Sequence, residues 1–428
     1  RIQSVRTRIT TLVYLLLAFT APALCQTTPL TLDDCIRLAT SVESAVSLAR
    51  QQSEIARYGL IEARAGFLPQ ISVGGNYTYN NPLRSGEFAF ISLNGVREFV
   101  TQGNIDLELD TSGRLRAALA RARADRDAAA AGQSLSERDL KRAVTASYYR
   151  LLLARHLAAA TRDSLEEARS FEKRARLLAS QGEAAQADVV KAAGETAFLQ
   201  QSLNAAELEA KLANHDLASF WTTDVDKELN LADVLDRDVP TPETPPPPAA
   251  APFLRRLEFR LFDAQRRGFQ ADARRVRADL YPQLSLVTQY GIDAPRYSFS
   301  YRGYAAFLNL RIPVFDWFRT RSAARQFDLQ ARQVETTSRI TERTFSREYR
   351  DALARVEQIY AQVAMTETQV KLSEDNLRLS RVRYEGGEGL ALDVVAAQSQ
   401  LTQARANYFT AKANYWNARA ELEVASGR

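Results

Sequence analysis

Two aspartates in matching surroundings are the residues of this sequence best placed to do chemistry. Asp188 lies in GEAAQADVV (182–190), and Asp393 lies in the near copy GEGLALDVV (387–395), 205 residues further on. A carboxylate just after a glycine turn caps the helix that follows by accepting backbone N–H bonds. It also leaves a ligand-binding reading open. The GGEG run at 386–389 has the look of a phosphate-cradling loop, but it follows a helical stretch rather than a strand, which speaks against that chemistry. His156 and His215 are the only histidines, and each is expected alone on a helix, solvated or packed rather than holding a metal. The sequence has no P-loop, no G-x-S-x-G and no Cys-x-x-Cys. Neither an enzyme nor a cofactor is expected.

The elements that carry the aspartates are unusually regular. After Asp188 come Val189, Ala192, Thr196, Leu199, Leu203, Ala206, Ala210, Ala213 and Leu217. After Asp393 come Val394, Ala397, Leu401, Ala404, Tyr408, Ala411, Tyr415, Ala418 and Leu422. Both series step by three and four without a slip, which is a coiled-coil seam. The alanines require a close partner helix. That partner is upstream in each case. From Arg114 to Ser180 there is no proline and only Gly132, and Phe318–Tyr384 has neither. A helix over either stretch extends about 100 Å at 1.5 Å per residue. The chain is therefore expected to be a tandem duplication of long helical hairpins, with Asp188 and Asp393 at the tips.

Elsewhere the period drops to two. Ile71, Val73, Tyr77 and Tyr79 alternate with Ser72, Gly74, Asn76 and Thr78, and similar patterns mark strands over 98–109, 283–292 and 302–312. Matching prolines, Pro69 in FLPQIS and Pro282 in LYPQLS, stand where the chain enters the first strand of each pair. Strands of about ten residues with one apolar and one polar face suit a tilted barrel in a bilayer. Four strands leave unsatisfied edges there, so the barrel must close across subunits. Two copies leave little lumen, whereas three give twelve strands and room for a channel.

The ends and joins set the boundaries. Residues 1–25 read as a secretory signal peptide, with arginines before a short apolar run, although Cys25 leaves a lipidated N-terminus open as the alternative. The first repeat spans 26–239, with a helix, a β-hairpin over 70–109 and a helical hairpin over 112–220. A proline-rich linker covers 240–252. The second repeat spans 253–428, with a helix, a β-hairpin over 283–312 and a helical hairpin over 318–425. A single helix is expected over 30–65, and another over 253–280. The formal charge of +5 falls to +2 without the first 26 residues, and acids interleave with bases along the helices. That pattern is a solvated face rather than a nucleic-acid footprint.

The duplicated plan, FLPQIS and LYPQLS, VFDWFRTRSAA, YEGGEGLALDVVAAQSQL and the closing ELEVASG together resemble the TolC-like outer membrane efflux proteins of Gram-negative bacteria. The resemblance implies a mostly α fold with transmembrane β: a homotrimer with a 12-stranded β-barrel continued by a periplasmic α-helical tunnel. It implies a passive exit duct of a tripartite export system, opened at its helix tips by a periplasmic adaptor that links it to an inner-membrane transporter. It places Asp393 in the carboxylate ring at the narrowest point, with Tyr384 and Asp188 matching a pair that holds the tips shut. Gly182, Gly386, Gly387 and Gly389 fall in the tip turns where the adaptor docks. Two positions depart from the pattern. Ala396 stands where a second acid is expected and Gly389 where a basic residue is expected, so the aperture should be less charged and less firmly latched. The competing reading is a periplasmic coiled-coil adaptor without a pore, which ordinarily carries one hairpin rather than two.

Overall fold

The computed structural model describes residues 29–80, 96–242 and 250–427. The signal-peptide and lipidation expectations, the strand loop at 81–95 and the middle of the proline run lie outside these residues. In chain order the elements are α1 (Leu32–Ser41), α2 (Ala45–Ala65), β1 (Gln70–Tyr79), β2 (Arg97–Leu109), α3 (Arg114–Ser180) and α4 (Gln186–Ala218). After these come α5 (Leu257–Ala278), β3 (Gln283–Ala294), β4 (Arg302–Arg311), α6 (Arg319–Glu385) and α7 (Ala391–Ala425).

Two helices differ from expectation. The single helix expected over 30–65 is broken at Val42–Ser44, because α1 ends with Val42 in an extended conformation and Ser44 opens a new helix. Thr31 caps α1 through Asp34, whose carboxylate reaches back to the Thr31 N–H. The helix expected over 253–280 begins only at Leu257, after a separate 3-10 turn at Pro252–Arg255. Pro252, which lacks an N–H, opens that turn.

The four strands form one antiparallel sheet in the order β1-β2-β3-β4, so the two repeats join through β2 and β3. The register puts Ile71 opposite Ile105, Tyr77 opposite Phe99, Leu107 opposite Leu286, and Leu286 opposite Leu308. Cross-strand partners point to the same side. One face is therefore apolar across all four strands, and the other carries Ser72, Asn104, Gln289 and Asn309. The apolar face is bare: Ile71, Val73, Tyr304, Leu308 and Leu310 are all at least 60 % exposed. β1 and β4 are open edges.

Below the sheet the helices stand in rows. α2, α3, α5 and α6 pack side by side near the sheet, and α4, α3, α7 and α6 do so farther away. α3 and α6, each 67 residues, run through both levels. Every seam position downstream of Asp188 and Asp393 is buried or half-buried. No described helix is long and apolar enough to cross a membrane. Where β4 gives way to α6, Phe315, Trp317 and Phe318 form an exposed aromatic cluster. Trp317 and Phe318 hold left-handed φ of 56° and 62°, a costly state for bulky residues. Gly113 holds the same state 205 residues earlier.

Residues 219–242 contain no helix or strand, yet they form a strap across the helical wall. Leu229, Leu231 and Leu235 are buried against α1, α3 and α4. Tyr148 Oη donates to Ala232 O at 2.6 Å, Lys412 Nζ to Leu235 O at 2.6 Å and Tyr415 Oη to Pro240 O at 2.6 Å. The strap also corrects the expectation for one of the histidines. His156 is not alone, since its Nε2 lies 2.7 Å from Asp233 Oδ2, whereas His215 Nε2 lies 3.3 Å from Asp226 Oδ1 but makes no hydrogen bond among the described residues.

Candidate functional site

Apart from the two strand-entry prolines, the sites read from the sequence gather at the far end of the helices from the sheet. Each hairpin turns through a glycine in the left-handed region, Gly182 at φ 80° and Gly387 at φ 77°. In each turn the N–H after that glycine reaches back five residues, from Glu183 to Leu178 O at 2.9 Å and from Glu388 to Arg383 O at 3.0 Å. That bond is the Schellman closure, and glycine supplies its left-handed residue without a Cβ clash. Gly386 ends α6 with ordinary right-handed φ. Gly389 is needed for space, because a Cβ there would sit 2.9 Å from Tyr384 N and 3.1 Å from Arg383 C. Pro69 and Pro282 lie at the opposite end, where the helices give way to β1 and β3.

Asp188 and Asp393 both stand in the first turn of their helices, three residues after the capping positions Ala185 and Leu390. Asp393 accepts from Leu390 N–H at 3.4 Å and is exposed, so its charge stays in solvent while it helps close the turn. Asp188 is half-buried and lies near enough to Tyr384 for its charge to act on the phenol. Burial, and then the Asp188 charge, push the Tyr384 phenol above its ordinary pKa. The ring of Tyr384 meets Phe171 edge-on at 5.2 Å, within a cluster that includes Ala175, Val189, Leu377, Val394 and Leu401. Its hydroxyl is buried without a hydrogen-bond partner among the described residues.

The structure adds polar links between the hairpins that no sequence motif announced. Glu167 on α3 lies 3.3 Å from Arg381 on α6 and 3.7 Å from Arg405 on α7, and Arg405 lies 3.2 Å from Glu374. Arg174 lies 3.7 Å from Glu385. Thr402 Oγ1 donates to Ser164 Oγ at 2.8 Å, and Ser399 Oγ donates to Glu195 at 3.1 Å. These residues are far apart in sequence and occupy positions that read as solvated faces, so only the tertiary arrangement pairs them. Partly exposed ion pairs contribute ~1 kcal/mol or less each. Together they set the orientation of one hairpin against the other more than they stabilise it.

The described residues thus combine an apolar-faced four-stranded sheet with helical hairpins that each have a 67-residue arm. The chain belongs to the outer membrane efflux protein family, whose model matches residues 36–222 and 254–428. Solved structures share the fold. The outer membrane protein VceC from Vibrio cholerae superposes with a TM-score of 0.80 at 16% identity, over 92% of this chain and 96% of that one. The CmeC outer membrane channel of Campylobacter jejuni gives a TM-score of 0.80 at 17% identity, over 92% and 85%. The open state of the MtrE outer membrane channel of Neisseria gonorrhoeae gives 0.79 at 19% identity, over 92% and 88%. No curated protein sequence matches the chain.

Proposed function

We propose that this protein is the outer-membrane exit duct of a tripartite export system, a homotrimer that spans outer membrane and periplasm. In this reading a periplasmic adaptor, coupled to an inner-membrane transporter, docks on the turns at Gly182 and Gly386–Gly389 and loosens the helix tips. The duct is passive and carries no chemistry of its own. The observation that carries the reading is the sheet, with two unpaired edges and a bare apolar face. Edge amides cannot stay unsatisfied in hydrocarbon, so the sheet has to close with copies of itself. Three copies supply twelve strands and a lumen.

Two features support the same closure. The outermost helices present exposed apolar side chains, among them Ile55 and Tyr58 on α2, Phe198 and Leu208 on α4, and Met365 and Leu372 on α6. Lateral packing of neighbouring copies buries such faces. The exposed Phe315, Trp317 and Phe318 lie at the sheet's helical end, where an aromatic girdle belongs at a membrane interface. At the tips, Asp393 repeated around the axis favours cations, and Tyr384 beside Asp188 braces the closed state.

Membrane fractionation with unheated gel electrophoresis tests the assembly. An outer-membrane, detergent-resistant trimer is the expected result, and a monomer released by salt washing overturns it. Single-channel recording of Asp393→Ala tests the aperture. Reduced cation preference and weaker divalent block are expected; unchanged values remove Asp393 from the narrowest point.

A further inference from the structure

The strap and the helical wall bring together three groups that the duct function does not use. His156 Nε2 on α3 lies 2.7 Å from Asp233 Oδ2 and 3.8 Å from Asp236 Oδ1, and the three ligand atoms lie within 4.8 Å of one another. We propose that His156, Asp233 and Asp236 form a site for a divalent first-row transition ion such as Zn2+, which staples the strap to the helical wall.

The geometry is prepared rather than incidental. The His156 ring stacks on Phe409 of α7 at 4.3 Å and 19°, which fixes its plane and aims Nε2 at the strap. Asp233 is oriented by its other oxygen, which accepts from Leu235 N–H at 2.9 Å. Outer contacts of this kind are what hold metal ligands in place. The strap backbone is pinned on both sides of Asp233, at Ala232 O by Tyr148 and at Leu235 O by Lys412. Asp236 is 70% exposed and free to swing inward, and solvent can fill the remaining coordination positions.

The spacing suits such an ion. Metal–ligand bonds near 2.1 Å put adjacent ligand atoms roughly 3.0–3.4 Å apart. The two distances from Nε2, 2.7 and 3.8 Å, straddle that range, and the two carboxylate oxygens, within 4.8 Å of each other, close up when the exposed Asp236 swings inward. One imidazole with two carboxylates favours Zn2+, Co2+ or Ni2+ over Ca2+ and Mg2+, which prefer oxygen alone. An Nε2–H that donates to Asp233 and an ion bound at Nε2 are alternatives at this contact. For the ion to bind, Nε2 gives it the lone pair, and any proton there moves to Nδ1 or to solvent. His215 offers an internal contrast. It faces the single carboxylate of Asp226, which Lys211 also approaches at 3.6 Å.

Equilibrium dialysis of the full detergent-solubilised protein against Zn2+, with Co2+ visible absorption as a second readout, tests the site. The expected result is one ion per chain. His156→Ala and Asp233→Asn should each weaken binding by at least ~10-fold. Asp236→Asn, at an exposed position that cannot unfold the chain, should weaken it measurably, and His215→Ala should leave it unchanged. Co2+ should develop d–d bands that disappear in His156→Ala. Failure of the wild type to bind, or equal binding by His156→Ala, overturns the proposal and leaves His156–Asp233 as a hydrogen bond alone.

Discussion

The two hairpin tips use one backbone device and differ in what they hang on it. Both turn through a left-handed glycine closed by the same long-range N–H bond, and both place an aspartate in the next first turn. The Gly182 tip carries Ala179 and Ala184 where the Gly387 tip carries Tyr384 and Gly389. The second tip is therefore the filled one. Its aromatic ring projects into the junction with α3, and its turn is tight enough that residue 389 has room only for hydrogen. The two tips thus share one turn and differ in how far their side chains fill it.

The strongest way to break that difference is Tyr384→Ala. Removing a buried ring packed on Phe171 should cost ~3–5 kcal/mol, measured by denaturant unfolding followed by circular dichroism. A matching cost for Phe171→Ala, with the double variant costing less than the sum, would show that both belong to one contact. Next comes the turn itself. Gly389→Ala should cost ~1–3 kcal/mol by forcing a Cβ onto the Tyr384 and Arg383 backbone, whereas Ala184→Gly at the other tip should cost well under ~1. Equal effects would mean that the two turns are equally tight.

The shared device predicts symmetry. Gly182→Ala and Gly387→Ala should each cost ~1–2 kcal/mol, because both residues keep left-handed φ. A large difference between them would show that one tip relaxes to another turn. The smallest effect concerns the phenol. Its pKa is raised in the folded chain, so its contribution is intact below pH ~10 and fades as pH rises through the folded value. Tyr384→Phe should be nearly neutral at pH 7 and should abolish that part of the alkaline loosening, read by ultraviolet titration of tyrosinate. The Gly182 tip, with Ala179 at the matching place, should show no such step.

What the sequence made legible followed from local period. The three-and-four stepping of Val394, Ala397 and Leu401 announced a buried seam, and the alternation at Ile71–Tyr79 announced a strand with two faces. The absence of proline over 114–180 set the length of α3. What stayed hidden depended on meetings between distant segments. Glu167, Arg381 and Arg405 sit on different helices and look like ordinary solvated charges until the hairpins pack. The strap was opaque for the same reason. Leu229, Leu231 and Leu235 have no lasting period, and nothing near His156 in the chain points to Asp233. The break at Val42–Ser44 was missed because the apolar stripe runs on through it.

The pairing of β2 with β3 has a consequence for biogenesis. The described residues contribute four strands, an even number, so in the proposed assembly β4 of one copy and β1 of the next meet antiparallel however many copies join. Closure therefore imposes no strand reversal, and copy number is left to the curvature of the sheet and the helical wall. A lone chain carries two raw hydrogen-bonding edges, which hydrocarbon does not tolerate. In the proposed assembly copies therefore find one another before or during insertion, and the rate at which finished channels appear should rise more steeply than linearly with the supply of unassembled chains.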